Sequence, residues 1–218
     1  MRTHTARLAW MALALLAVVA SPAAPLAAQP AVPTLPTIPD PVPVTLNPAQ
    51  TAFLVLDLTS ANCSARPACV ASLPGVAELI ARSRDAGALV VYSSISTPGA
   101  QILPEVAPQP GDPIVVANAD KFAGTTLEQI LADAGVDTLI IVGTSANGAV
   151  LYTAWGASQR GYTIVAPIDG MSSADSFATF LTQYQLLNEP GFNNPTNEPL
   201  RPNAVTLSRT DLISYEGM

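Results

Sequence analysis

Six short, almost purely apolar runs recur along this chain, and segments of helical spacing or turn-rich loops separate them. Residues 51–57 read Thr-Ala-Phe-Leu-Val-Leu-Asp, and similar runs follow at 88–93, 114–117, 137–142, 162–167 and 204–207. A run with no polar alternation is the pattern of a strand buried on both faces, which an antiparallel sheet with one wet face does not need. Between the runs lie helical segments at 74–86, 125–134, 149–160 and 173–187. Pro74 suits the first turn of the first helix and Gly87 its end. Thr125 and Thr126 offer capping hydroxyls to the second. Strands alternating with helices of this length predict an α/β fold in three layers: a doubly wound, mostly parallel sheet of about six strands, with helices on both faces.

The ends have a different character. Residues 1–28 read as a secretory signal, with Arg2 and Arg7 as a basic start, an apolar run over 8–20, and Leu26-Ala27-Ala28 as a small-residue cleavage site. Residues 29–43 carry a proline every few positions and form a stiff, extended tether. Residues 44–218 are then one domain. Cleavage takes the formal charge from −7 to about −9, which argues against nucleic acid or an anionic membrane as a partner. The expected location is exported, periplasmic or extracellular, with no membrane attachment once the signal is gone. Cys63 and Cys69 are the two cysteines, and in an exported chain so close a pair forms a local disulfide; free thiols are the alternative in a mildly reducing compartment.

Chemistry is narrowed by what the mature chain lacks. The one histidine, His4, falls in the signal, so a Ser-His-Asp triad, a Cys-His pair and a His-ligated metal site are all absent from the expected mature protein. The one lysine, Lys121, follows the third strand. Ligands in open parallel sheets bind beyond the C-terminal ends of the strands, and Asp57, Lys121 and the turn at Gly143 all map to that rim. The loop over 95–113, rich in Pro and Gly, is long enough to cover a site there.

Residues 139–154 read Leu-Ile-Ile-Val-Gly-Thr-Ser-Ala-Asn-Gly-Ala-Val-Leu-Tyr-Thr-Ala. This segment resembles the isochorismatase-like hydrolase superfamily, also called the cysteine hydrolases, in which a strand, a glycine turn and a cysteine opening a helix precede Val and a Thr-Ala pair. Phe53-Leu-Val-Leu-Asp57, Gly111-Asp-Pro-Ile-Val, Phe122-Ala-Gly-Thr-Thr-Leu and Arg160-Gly-Tyr-Thr-Ile-Val extend the likeness, in order, over about residues 50–187. The resemblance implies catalytic roles for Asp57 and Lys121. The family lysine normally precedes the phenylalanine by several residues, whereas here the two are adjacent. Position 149, where the nucleophilic cysteine should stand, is alanine.

A methyl group cannot carry an acyl intermediate, so hydrolysis through a thioester is closed to this chain. Isochorismatases in the same family cleave a vinyl ether without that cysteine, by acid catalysis. The resemblance therefore implies a secreted hydrolase of a small metabolite, with Asp57 as acid and Lys121 as electrostatic partner. Thr59, Phe122, Asn147, Gly148 and Ala149 would form the substrate pocket, the backbone N–H groups of Gly148 and Ala149 holding an anionic group. No cofactor and no metal are expected, and relatives of this kind commonly form homo-oligomers. A non-catalytic small-molecule-binding protein of the same fold is the alternative. Ser145 is a weaker candidate nucleophile, and Asn147 is most simply a helix cap, with substrate contact second. Asp169 and Asp175 are expected to serve turns and caps, and Tyr152 and Trp155 to pack.

Overall fold

The computed structural model describes residues 34–217, so the signal segment and the first part of the tether lie outside the described residues. The central sheet contains seven strands: β2 (Thr51–Leu56), β3 (Leu89–Ser94), β4 (Ile114–Val116), β5 (Thr138–Thr144), β6 (Thr163–Pro167), β7 (Met171–Ser172) and β8 (Val205–Ser208). Their order is β4-β3-β2-β5-β6-β8, every pairing is parallel, and β7 adds to the end of β5 after β6 has diverged. Two further strands, β1 (Val44–Leu46) and β9 (Ile213–Tyr215), pair with each other in a separate two-stranded sheet.

The unbroken apolar runs are explained by burial on both sides. Leu54 and Leu56 of β2, with Leu139 and Ile141 of β5, enter one core together with α2 (Leu127–Asp133), α3 (Leu151–Gln159) and α4 (Ser176–Leu187). Phe53 and Val55, with Ile140 and Val142, enter the other, covered by α1 (Pro67–Ala86) and by β1 and β9. Each of these side chains is at most 2% exposed, which is worth roughly 2 kcal/mol apiece. The three-layer parallel architecture is the one expected.

Several details differ from expectation. Helix α1 begins at Pro67 rather than Pro74, which sits inside it. Pro67 fills the first-turn position, and a disulfide from Cys63 to Cys69 anchors that turn. Pro74 then forfeits one backbone bond to the Val70 carbonyl, on an exposed turn of the helix. Helix α4 begins at Ser176, where the Asp175 carboxylate caps the Ala178 N–H at 2.8 Å. At the end of the proline-rich stretch, the Val42 N–H donates to the Leu207 carbonyl and the Asp40 carbonyl accepts from Asn197.

Topology places the candidate site. From β2 the order steps out through β3 to β4; from β5 it steps the other way through β6 to β8. Between β2 and β5 the winding reverses, α1 leaving toward one face and α3 toward the other. A crevice at the C-terminal ends of these two strands follows from that reversal.

Candidate active site

The register pairs Leu56 with Gly143, and Gly143 with Met171, so Asp57, Thr144 and Ser172 stand side by side one step farther toward the rim. Gly143 makes this row possible. Its φ is +141°, and a β-carbon there would lie 2.1 Å from the Leu56 carbonyl oxygen. Only glycine lets the two strands approach so closely beside Asp57. Asp57 itself has a φ of +54°, an uncommon backbone conformation for a residue with a side chain. Strain of this kind collects at functional sites.

Asp57 and Lys121 meet in a buried ion pair. The Lys121 ammonium donates to Asp57 Oδ2 at 2.7 Å, with Asp57 3% exposed and Lys121 fully buried. Its other two hydrogens go to the carbonyls of Ala117 at 2.9 Å and Asn118 at 2.5 Å. All three donors of the ammonium are therefore committed within the protein. The second oxygen, Asp57 Oδ1, accepts from the Ser93 hydroxyl at 2.7 Å. Both carboxylate oxygens act as acceptors, which fixes the orientation of the group.

The lysine is held from outside as well. Its backbone N–H donates to Thr153 Oγ1 at 3.1 Å, and that hydroxyl donates to the Ala119 carbonyl at 3.3 Å, which ties the loop to α3. Gly156, one turn along α3, leaves room for Asp120 and Phe122, whose nearest atoms would sit 3.1 and 3.3 Å from a β-carbon there. Adjacency of Lys121 and Phe122 thus does not prevent the ammonium from reaching Asp57, because the side chain turns back under its own loop.

The remaining candidates have varied settings. Ala149 is buried at the end of a π turn, Ala146–Val150, that leads into α3. Gly148 donates its N–H to the Ser145 carbonyl at 3.0 Å, so that donor is used inside the turn. Asn147 is exposed and accepts from the Ser173 hydroxyl at 2.9 Å through its side chain, an inter-segment link rather than a helix cap. Phe122 packs, stacked on Tyr162 at 6.1 Å under the Arg160 guanidinium. Thr59 is fully buried, and its hydroxyl has no partner among the described residues. Asp169 accepts from the N–H and hydroxyl of Thr210. Tyr152 and Trp155, expected to pack, are instead 50% and 41% exposed. Among the described residues no three His, Cys, Asp or Glu side chains gather as a metal site would need.

Arg66 had no role in the sequence. It lies just after the Cys63 turn, and its guanidinium donates to Thr144 Oγ1 at 3.2 Å and to Ser145 Oγ at 3.0 Å. Arg66 also lines a cleft of about 360 Å³ with Ser173, Asp175 and Thr179, beyond the ends of β5 and β7. A cation, two hydroxyls and an open cleft thus adjoin the row that contains Asp57.

An isochorismatase domain model matches residues 51–186, the span from β2 almost to the end of α4. The chain belongs to the isochorismatase family. A streptothricin hydrolase of Streptomyces noursei is 34% identical over 149 residues, covering 62% of this chain and 59% of that protein. A secreted isochorismatase effector of Verticillium dahliae is 29% identical over 117 residues, covering 48% of this chain and 62% of its own length. The chain thus spans about three fifths of the length of these relatives. The fold is shared with a cysteine hydrolase from Pseudomonas syringae pv. phaseolicola, at a TM-score of 0.66 and 19% identity over 79% of this chain and 94% of that one. In this family member Asp57 opens the matched span near its start, while Lys121 lies near its middle.

Proposed function

We propose that the protein is an exported isochorismatase-family hydrolase of a small metabolite, working without a cysteine nucleophile. The observation that carries this reading is the buried Asp57–Lys121 pair at the strand crossover, in a chain with alanine at position 149. Asp57 is the proton carrier: as acid it gives a proton to the substrate, and it takes one back from the water that adds to the electrophilic carbon so formed. Lys121, its three hydrogens committed, acts on Asp57 rather than on substrate, holding the carboxylate in place. Arg66 would steer an anionic part of the substrate toward the rim.

Relatives support a hydrolytic reading by their names, which include a streptothricin hydrolase and a maleamate amidohydrolase of Pseudomonas putida. Export is supported by the signal-like first 28 residues, by the Cys63–Cys69 disulfide and by the secreted relative. The test is a mass-spectrometric screen of small amides and enol ethers against the wild type and Asp57→Asn, with melting curves to show that both are folded. Turnover that vanishes in the variant is expected. Equal turnover in both removes Asp57 from the chemistry.

A second reading, a non-catalytic binding protein, is favoured by one observation: the rim cleft beside Arg66 has neither Asp57 nor Lys121 in its wall. Ligands that raise the melting temperature and are recovered unaltered would establish it.

A further inference from the structure

Away from the rim, a cavity of about 220 Å³ opens between α3 and α4, with Leu151, Trp155, Tyr184, Asn188 and Glu189 in its wall. Glu189 is 3% exposed, yet neither of its carboxylate oxygens has a hydrogen-bond partner among the described residues. The nearby Ser158 hydroxyl donates to the Ala154 carbonyl at 3.3 Å, and the Asn188 amide to the Tyr184 carbonyl at 2.8 Å. A buried carboxyl without donors is expensive, and ordinary cores avoid it. Burial pushes this carboxyl up to about 7; the Ser158 hydroxyl is near enough to oppose the shift, but it is directed to the Ala154 carbonyl and leaves the carboxyl unpartnered. Structural economy alone would have placed an apolar side chain here.

The wall defines what would satisfy it. Glu189 is the one charged group among the described residues lining the cavity. Facing it, α3 contributes Leu151, Trp155 and Ser158, none of which titrates, and α4 contributes Tyr184 and Gln185. A carboxylate asks for N–H donors and positive charge, aromatic faces attract cations, and Leu151 offers contact to carbon. The volume suits a ligand smaller than most drugs. Half-exposed Trp155 lines the cavity and also meets solvent.

We propose that this cavity binds a small organic ammonium, a protonated primary amine with an apolar body, whose charge lies among Trp155 and Tyr184 and whose N–H groups are received by Glu189 once its carboxylate, sealed beneath the wall in the empty protein, turns into the cavity. The site is separate from the Asp57 row and rests on no part of the hydrolase proposal. An amine that fills it converts an orphaned carboxyl into an ion pair, so binding draws on a cost already present in the empty protein.

Trp155 is its own reporter. In the full chain with Trp10 replaced by Phe, it is the one indole, and titration with benzylamine should give a saturable fluorescence change at roughly millimolar ligand or below. Glu189→Gln should weaken that binding by about tenfold or more, the worth of a charge-assisted hydrogen bond, while neutral benzyl alcohol should bind both forms alike. A wild-type titration needs no variant: affinity for benzylamine should be higher at about pH 8 than at about pH 5, because Glu189 ionises between them. No saturable change, equal binding by Glu189→Gln, or an affinity indifferent to pH would each overturn the proposal.

Discussion

Replacing Lys121 by methionine tests whether the rim pair is as dry as its geometry implies. Methionine keeps most of the aliphatic stem and removes the ammonium. Three partners lose their donor at once: Asp57 Oδ2 and the carbonyls of Ala117 and Asn118. Asp57 is left 3% exposed with a single donor to its side chain, the Ser93 hydroxyl. Breaking a buried pair by removing one member costs about 3 to 5 kcal/mol, since an uncompensated charge stays behind. For a domain of this size each kcal/mol lowers the melting temperature by about 2 to 4 °C, so a fall of about 6 to 20 °C is expected. Equilibrium urea unfolding near neutral pH should be run on Lys121→Met, Asp57→Asn and the double variant. Because the two residues touch, the double variant should be less destabilised than the two single losses added together, by about 2 kcal/mol. A loss below about 1 kcal/mol for Lys121→Met, with no coupling, would place the pair in water and end its claim to a special environment.

Two other perturbations follow from the same structure. Glu189 has a folded pKa of about 7, above the ordinary 4.5, so its contribution to stability is fully present below about pH 4.5 and is lost as pH rises through 7. Urea unfolding should show wild type losing about 2 to 3 kcal/mol relative to Glu189→Gln between about pH 5 and pH 8.5, and parallel pH profiles would show that the carboxyl is hydrated. Gly143→Ala should cost about 4 kcal/mol or prevent folding, because the added methyl would meet the Leu56 carbonyl and φ is +141° there; circular dichroism showing a wild-type melting curve would contradict the close strand approach.

Legibility in the sequence followed burial. Strands β2 and β5 are buried on both faces, and their composition announces it without help from the rest of the chain. By contrast β1 and β9 are three residues each with the pattern buried-exposed-buried, and β7 is two residues long, so no window of sequence isolates them. Pro74 misplaced the start of α1 because a proline that starts helices elsewhere is tolerated inside this one. Asp57 and Lys121 were visible through chemistry, one acid at a strand end and one lysine in the chain. Arg66 and Ser93 were not, since their contacts to residues 145 and 57 span 79 and 36 positions, and nothing local to either residue signals them. Glu189 follows a helix with no motif around it, and only packing reveals that it lacks partners.

The pair at the rim is an unusual way to hold a fold together. A buried ion pair is often matched or exceeded in stability by apolar residues of similar volume, so architecture alone gives little reason for one at the junction of β2 and β5. The surroundings are equally specific: a glycine at φ +141°, an aspartate at φ +54°, and a lysine with every hydrogen assigned. Each feature carries a cost in backbone freedom or desolvation, and together they fix one carboxylate to a narrow range of positions. Preorganisation of that kind matters most when charge or a proton must move at a defined point, because the protein then need not rearrange as the reaction proceeds. A binding pocket needs shape and complementary charge but tolerates looser placement. That difference weighs toward proton transfer at Asp57, and it gives the double variant a second use. Replacing Asp57 and Lys121 together by asparagine and methionine should recover about 2 kcal/mol of the summed single losses while leaving turnover abolished, separating what the pair does for chemistry from what it does for the fold.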